Sequence, residues 1–188
     1  MPVIYQFKIS LKNISPLIWR RVEINPEETL YMLHHVIQIT MGWDNYHLYE
    51  FSVGNTRFGN QDLLDDHSVF EDKEVVLKNL FTREGQTLDY LYDFGDSWRH
   101  IVKLEKIKHL GESGVPKCTG GKNCAPPEDC GGVPGFYEFL RIMSLKKGPD
   151  YREWKKWYGG DFDPEYINLQ EINKTLSNMD EYLSEYDG

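Results

Sequence analysis

The sequence predicts an α+β fold: a mixed, mostly antiparallel sheet with a packed helix, grasp-like or roll-like, followed by C-terminal helices. Three observations carry this. Residues 3–107 are dominated by short segments of period-two alternation. One helical stretch, near residues 28–41, interrupts them. Helical periodicity returns only after residue 136, beyond a segment with no period at all. A chain of 188 residues fits one domain. We divide it into a sheet-rich part (3–107), a Cys/Gly/Pro loop (108–135) and a helical part (136–185).

The elements follow in order. Val3, Tyr5, Phe7, Ile9 and Leu11 alternate with mostly polar neighbours, the mark of a half-buried strand. Asn13-Ile14-Ser15-Pro16 is turn chemistry, and residues 17–24 return as a second strand. Asn25-Pro26-Glu27-Glu28 then offers a helix start with a capping box, and Thr29 is a rival cap. Leu30, Leu33, His34, Ile37 and Met41 keep helical spacing, and Gly42 can end the helix. Residues 47–53 and 56–59 form a hairpin about Gly54-Asn55. Residues 60–73 are polar and expected to be loop. Residues 85–92 and 97–107 form the next hairpin, joined by Asp93-Phe94-Gly95-Asp96, with Gly95 expected at positive φ. On its second strand Trp98, His100, Val102 and Leu104 share the apolar face. Residues 108–135 hold seven Gly, four Pro and all three Cys. Residues 136–144 and 151–158 are helical. Asn168 to Glu171 is a capping box that opens a stripe of Leu169, Ile172, Leu176, Met179 and Leu183.

Charge narrows the function classes. Lys+Arg number 21 against 30 Asp+Glu, a net −9. Residues 159–188 hold eight acids and one lysine, −7, which leaves −2 for the rest. Phosphate affinity is largely cation-driven, so tight non-specific duplex DNA binding is not expected. Residues 141–156 are locally basic at +4, with Tyr151, Trp154 and Trp157 interleaved, a pattern compatible with nucleic-acid contact or with a solvated helix face. No apolar run approaches the ~20 residues of a membrane span, and the N-terminus lacks signal-peptide features. The chain reads as cytoplasmic, with no membrane partner.

Two groups of residues carry possible chemistry. Cys118, Cys124 and Cys130 are an odd set at loose spacing; with His100 as fourth ligand they would make a structural zinc site, and without it they are reduced thiols shaping a loop. His109 and Asp129 are alternative fourth ligands. The acids Asp93, Asp96, Glu128, Asp129, Asp161 and Asp163 fall in three turns, where they either cradle a hard cation or cap the backbone. A loop so rich in Gly and Pro cannot build its own core. We expect residues 118–132 to fold back on the 93–100 hairpin, bringing Glu128, Asp129 or a thiol to the Trp98–His100 face.

Several strings together resemble one known family. They are residues 5–10 with Ile18-Trp19-Arg20, residues 30–43 with His47-Leu48-Tyr49-Glu50-Phe51, Tyr92-Asp93-Phe94-Gly95-Asp96-Ser97-Trp98-Arg99-His100, Cys118-Thr119-Gly120-Gly121, Cys124 through Pro126-Pro127-Glu128-Asp129-Cys130-Gly131-Gly132, and Gly160-Asp161-Phe162-Asp163. The chain resembles the plasmid pRiA4b ORF-3-like family from about residue 3 to 176. The resemblance implies kinship with plasmid- and transposon-borne proteins, some labelled resolvases. Resolvase chemistry is not supported: Ser10 lacks an adjacent Arg and no DNA-binding helix pair follows. The leading expectation is a non-enzymatic recognition module with a protein or nucleic-acid partner, linked to mobile elements. Its functional surface would comprise Asp93, Asp96, Trp98, His100, Glu128, Asp129, Asp161 and Asp163. The alternatives are a metal-dependent phosphodiester hydrolase and a zinc-stapled structural domain.

Overall fold

The computed structural model describes residues 3–109, 114–184 and 186. Strands β1 (Val3–Leu11) and β2 (Trp19–Ile24) form the opening hairpin, followed by helix α1 (Leu30–Met41) and the hairpin of β3 (Tyr49–Val53) and β4 (Thr56–Gly59). Next come α2 (Gln61–Leu64), β5 (Phe70–Glu71), a 3-10 turn at Asp72–Glu74, and α3 (Leu77–Leu80). Strands β6 (Thr87–Tyr92), β7 (Trp98–His109) and β8 (Lys117–Lys122) precede α4 (Gly132–Leu145), α5 (Pro149–Tyr158), α6 (Leu169–Ser177) and α7 (Met179–Ser184). The eight strands make one sheet in the order β5-β4-β3-β6-β7-β1-β2-β8. Every neighbouring pair is antiparallel except β4 with β5, so the α+β class holds. Among the described residues no helix is long and apolar enough to cross a membrane.

Alternation decides which face is the core. On β7, Trp98, His100, Val102 and Leu104 are all buried, while Arg99, Ile101 and Lys103 face solvent. The polar face is tied by Arg21–Glu105 at 2.7 Å and Lys108–Glu23 at 2.5 Å. Helix α1 lies on the apolar face with Leu33, Val36 and Ile37 fully enclosed. Its polar residues His34 and Gln38 are buried too, and both bond the hydroxyl of Tyr90, at 2.8 and 2.9 Å.

Four local expectations are corrected. Helix α1 starts after Thr29, whose hydroxyl accepts from the Met32 amide at 3.3 Å, and not at Asn25. The reason lies in the preceding backbone. The Glu28 amide donates to Asn25 O at 3.0 Å, the carbonyls of Pro26 and Glu28 accept from Lys78 and Leu77, and the Leu30 amide donates to Val75, so residues 25–28 are held in a turn against α3. Residues 60–73 are not plain loop. Asn60 caps α2, and Phe58 pairs with Phe70 across β4 and β5. The patternless 108–135 segment contains β8, which extends the sheet along β2. Its two glycines hide the period, and space at Gly121 is tight: a Cβ would stand 3.0 Å from the Trp19 carbonyl oxygen and 2.5 Å from Ile167 Cδ1. Finally, the C-terminal stripe is broken at Asn178 into α6 and α7. Residues 110–113 of the loop and the tail acids Glu185 and Asp187 lie outside the described residues.

Candidate functional site

Three chain segments meet at one end of the sheet. The first is the lead into β3. The second is the β6–β7 turn, opposite it because Tyr49 pairs with Tyr92 and the Asp93 amide donates to Leu48 O at 2.9 Å. The third is the segment between β8 and α4, which returns from the far edge of the sheet. Trp43 donates from Nε1 to Pro126 O at 2.9 Å, and the Asp44 amide donates to Glu128 Oε2 at 2.7 Å. Tyr92 donates its hydroxyl to the other Glu128 oxygen and accepts from the Tyr46 amide at 3.1 Å. Burial, then the adjacent Glu128 carboxylate, pushes the Tyr92 hydroxyl far up, so it stays a proton donor. The Gly131 amide donates to Asp96 Oδ2 at 3.1 Å.

Glycine makes the last approach possible. Gly132 sits at φ 66°, and a Cβ there would lie 2.6 Å from the Asp96 carbonyl oxygen. At Gly135 a Cβ would fall 1.9 Å from the Cys130 carbonyl oxygen. The Gly-Gly pair after Cys130 thus lets the loop lie directly on the hairpin turn.

At the centre of this junction stand His47, Asp93 and Asp129. One donor atom from each lies within 4.8 Å of the other two, and among the described residues no other three His, Cys, Asp or Glu gather so. Nε2 of His47 is 2.9 Å from Asp129 Oδ1 and 3.6 Å from Asp93 Oδ2. Neither approach has hydrogen-bond geometry, and that nitrogen is closed off from solvent. Both acids adopt the left-handed conformation, φ 57° at Asp93 and 58° at Asp129. A non-glycine residue there costs of order 1 kcal/mol, and the cost persists only where the surroundings impose it. Asp93 is buried and its other oxygen accepts from the Gly95 and Asp96 amides, at 2.9 and 3.2 Å. An imidazolium could direct its one Nε2–H at only one carboxylate. A divalent cation answers all three atoms, and one imidazole with two carboxylates suits Mn²⁺ or Zn²⁺. Asp129 also lines a shallow groove of about 300 Å³ with Asp150, Glu153, Trp154 and Trp157. The two indoles stand edge to face at 5.1 Å and 82°, and Trp157 is 47% exposed.

The expected site residues therefore divide. Asp93, Asp96, Glu128 and Asp129 come together. Trp98 and His100 lie beneath them in the core: His100 packs on Trp43 at 5.4 Å and Tyr90 at 5.3 Å, and its Nδ1 meets Tyr90 O at 3.4 Å. Burial holds the His100 ring neutral, its pKa lowered to about 4. It is Tyr92, and not His100, that meets Glu128. Asp161 is elsewhere, ion-paired to Lys155 at 2.7 Å, and Asp163 closes a turn on the Glu165 amide at 3.0 Å. Among the described residues no three of Cys118, Cys124, Cys130 and His100 gather as metal ligands. Cys118 is a β8 residue against α6, where Asn173 bonds both its amide and its carbonyl. Cys130 is buried beside Asp96, and burial, then that acid, pushes its thiol to about 12. His109, an exposed residue ending β7, takes no part. Gly95 is not at positive φ; Asp93 and Ser97 take the left-handed positions of the turn.

His47 is the residue that sequence reasoning passes over, because it reads as the polar start of β3. The usable signal is register: residues 47–48 must face the β6–β7 turn once β3 pairs with β6.

Comparison with known proteins places these residues in a wider set. The family model described as plasmid pRiA4b ORF-3-like protein matches residues 3–171. The uncharacterized protein y4hQ of Sinorhizobium fredii is 32% identical over 179 residues, covering 94% of this chain and 92% of its own. The crystal structure of a protein of unknown function, MM3350 of Methanosarcina mazei Go1, is similar with a TM-score of 0.80 and 35% identity, over 91% of this chain and 98% of that one.

Proposed function

We propose a function for a chain that belongs to the plasmid pRiA4b ORF-3-like family: a divalent-cation-dependent recognition module. His47, Asp93 and Asp129 hold the cation, and a ligand completes its coordination. The observation that carries this reading is the convergence of two left-handed aspartates on one imidazole nitrogen without a hydrogen bond between them. Three protein donors leave coordination positions open, and the Trp154–Trp157 groove beside Asp129 gives a bound partner an aromatic platform. Glu128 and Asp96 support the site from behind, the first through Tyr92 and the Asp44 amide, the second through the Gly131 amide. A link to mobile elements or nucleic acid enters through the basic, aromatic stretch of residues 141–156, which spans the end of α4 and most of α5.

Mn²⁺ and Zn²⁺ added to metal-free protein should raise its melting temperature, and Asp129→Asn should remove the rise while leaving the apo protein folded. Equal shifts in both proteins would overturn the site. The open positions also favour a second reading, metal-dependent hydrolysis of phosphodiesters. Turnover of bis(p-nitrophenyl) phosphate that requires Mn²⁺ and is lost in Asp129→Asn would select it over pure recognition.

A further inference from the structure

A different part of the molecule holds a buried cation with no anion. Arg20 is only 3% exposed. Its Nε donates to Thr40 O at 2.7 Å, and Nη1 donates to Trp19 O, Lys122 O and Asn123 O at 2.9, 3.2 and 2.9 Å. Among the described residues nothing accepts from Nη2, and no carboxylate pairs with the guanidinium. The titratable groups that act on it electrostatically are Cys118 and Cys124, and burial pushes both thiols up, so they are neutral at pH 7. The carbonyl of Thr40, at the negative end of α1, offsets the charge in part. A buried charge otherwise left unpaired is costly.

Arg20 lies in the wall of a cavity of about 380 Å³. The volume is at the lower end of the roughly 300–1,000 Å³ of small-molecule sites. Met41, Pro126, Tyr158, Ile167 and Ile172 give it apolar sides. Glu171 is the one carboxylate in the wall; it is exposed, where water screens it, and Asn168 Nδ2 already donates to it at 3.2 Å. The carbonyl cradle fixes the plane of the guanidinium and leaves one edge without an acceptor.

We propose that this cavity binds a small monocarboxylate with an apolar body, its acid group on Nη2 of Arg20 and its body against the apolar wall. The proposal is independent of the His47 centre. The probes are benzoate and its neutral counterpart benzyl alcohol, titrated calorimetrically against the full chain. Benzoate should bind at least about tenfold more tightly than the alcohol, since a charge-assisted bond replaces a neutral one. Arg20→Gln, which removes the charge, should abolish that preference. Should that variant fail to fold, Thr175→Trp, which fills the cavity from α6 and leaves Arg20 intact, should abolish benzoate binding while the protein melts as the wild type does. Equal binding of acid and alcohol, benzoate binding that survives Thr175→Trp, or no benzoate binding at millimolar concentration would each overturn the proposal.

Discussion

At the scale of single residues, two buried titratable groups pull stability in opposite directions. His100 has an ordinary pKa of 6.5 when unfolded and about 4 in the folded core. The unfolded chain therefore takes the proton first as pH falls, and stability is lost from pH 6.5 down to about 4. The loss amounts to about 3 kcal/mol at full protonation. His100→Phe should keep the ring packing against Trp43 and Tyr90, change stability at pH 7 by less than about 1 kcal/mol, and flatten that acid limb in urea unfolding. Asp72 does the reverse. It is fully buried, receives the Tyr49 hydroxyl, and burial raises its pKa from 3.8 to about 6. Its contribution is complete below pH 3.8 and lost as pH rises through about 6. Asp72→Asn should therefore stabilise the protein at pH 7 relative to pH 4, as midpoints at the two pH values would report. Neither role is legible in the sequence, where His100 looks like a functional candidate and Asp72 falls in a polar stretch expected to be loop. Enclosure by Trp43, which comes from another element, makes His100 a core residue.

At the scale of elements, period and turn chemistry locate β1, β2, β3, β4, β6, β7 and the α1 stripe within a few residues. They miss what is imposed by distant backbone. The start of α1 is set by residues 75–78, and β8 is set by the open edge of β2. The glycines show the same limit. Gly95 invites a left-handed reading, yet Asp93 and Ser97 carry that conformation. Gly95→Ala should cost about 0.5 kcal/mol or less, since its Cβ would meet only the Asp93 carboxylate at 3.2 Å. Gly135→Ala should cost about 1–3 kcal/mol or more, because its Cβ would be driven onto the Cys130 carbonyl. Thermal melts of the two variants side by side check both. A Gly95 variant less stable than the Gly135 variant would mean that the loop and turn are packed otherwise.

At the scale of the whole molecule, the acidic balance and the sheet order decide what the site can meet. The net charge of −9 argues against phosphate affinity without a cation, and a bound Mn²⁺ at His47 would supply one locally. Random duplex DNA at physiological salt should show no submicromolar binding in fluorescence anisotropy, with or without metal. The idea that the Cys/Gly/Pro loop returns to the β6–β7 turn is legible from composition, and four of the eight expected surface residues, Asp93, Asp96, Glu128 and Asp129, do meet there. The partner that makes them a possible metal centre, His47, is not legible, because only the β3–β6 register brings it opposite the turn. The most direct measurement is an anomalous difference map from crystals grown with Mn²⁺. The account predicts one peak bonded to His47 Nε2 and one oxygen each of Asp93 and Asp129, at roughly 2.0–2.2 Å as for similar first-row metal–N/O bonds. A map with no peak there, or with its metal at the cysteines, would contradict it.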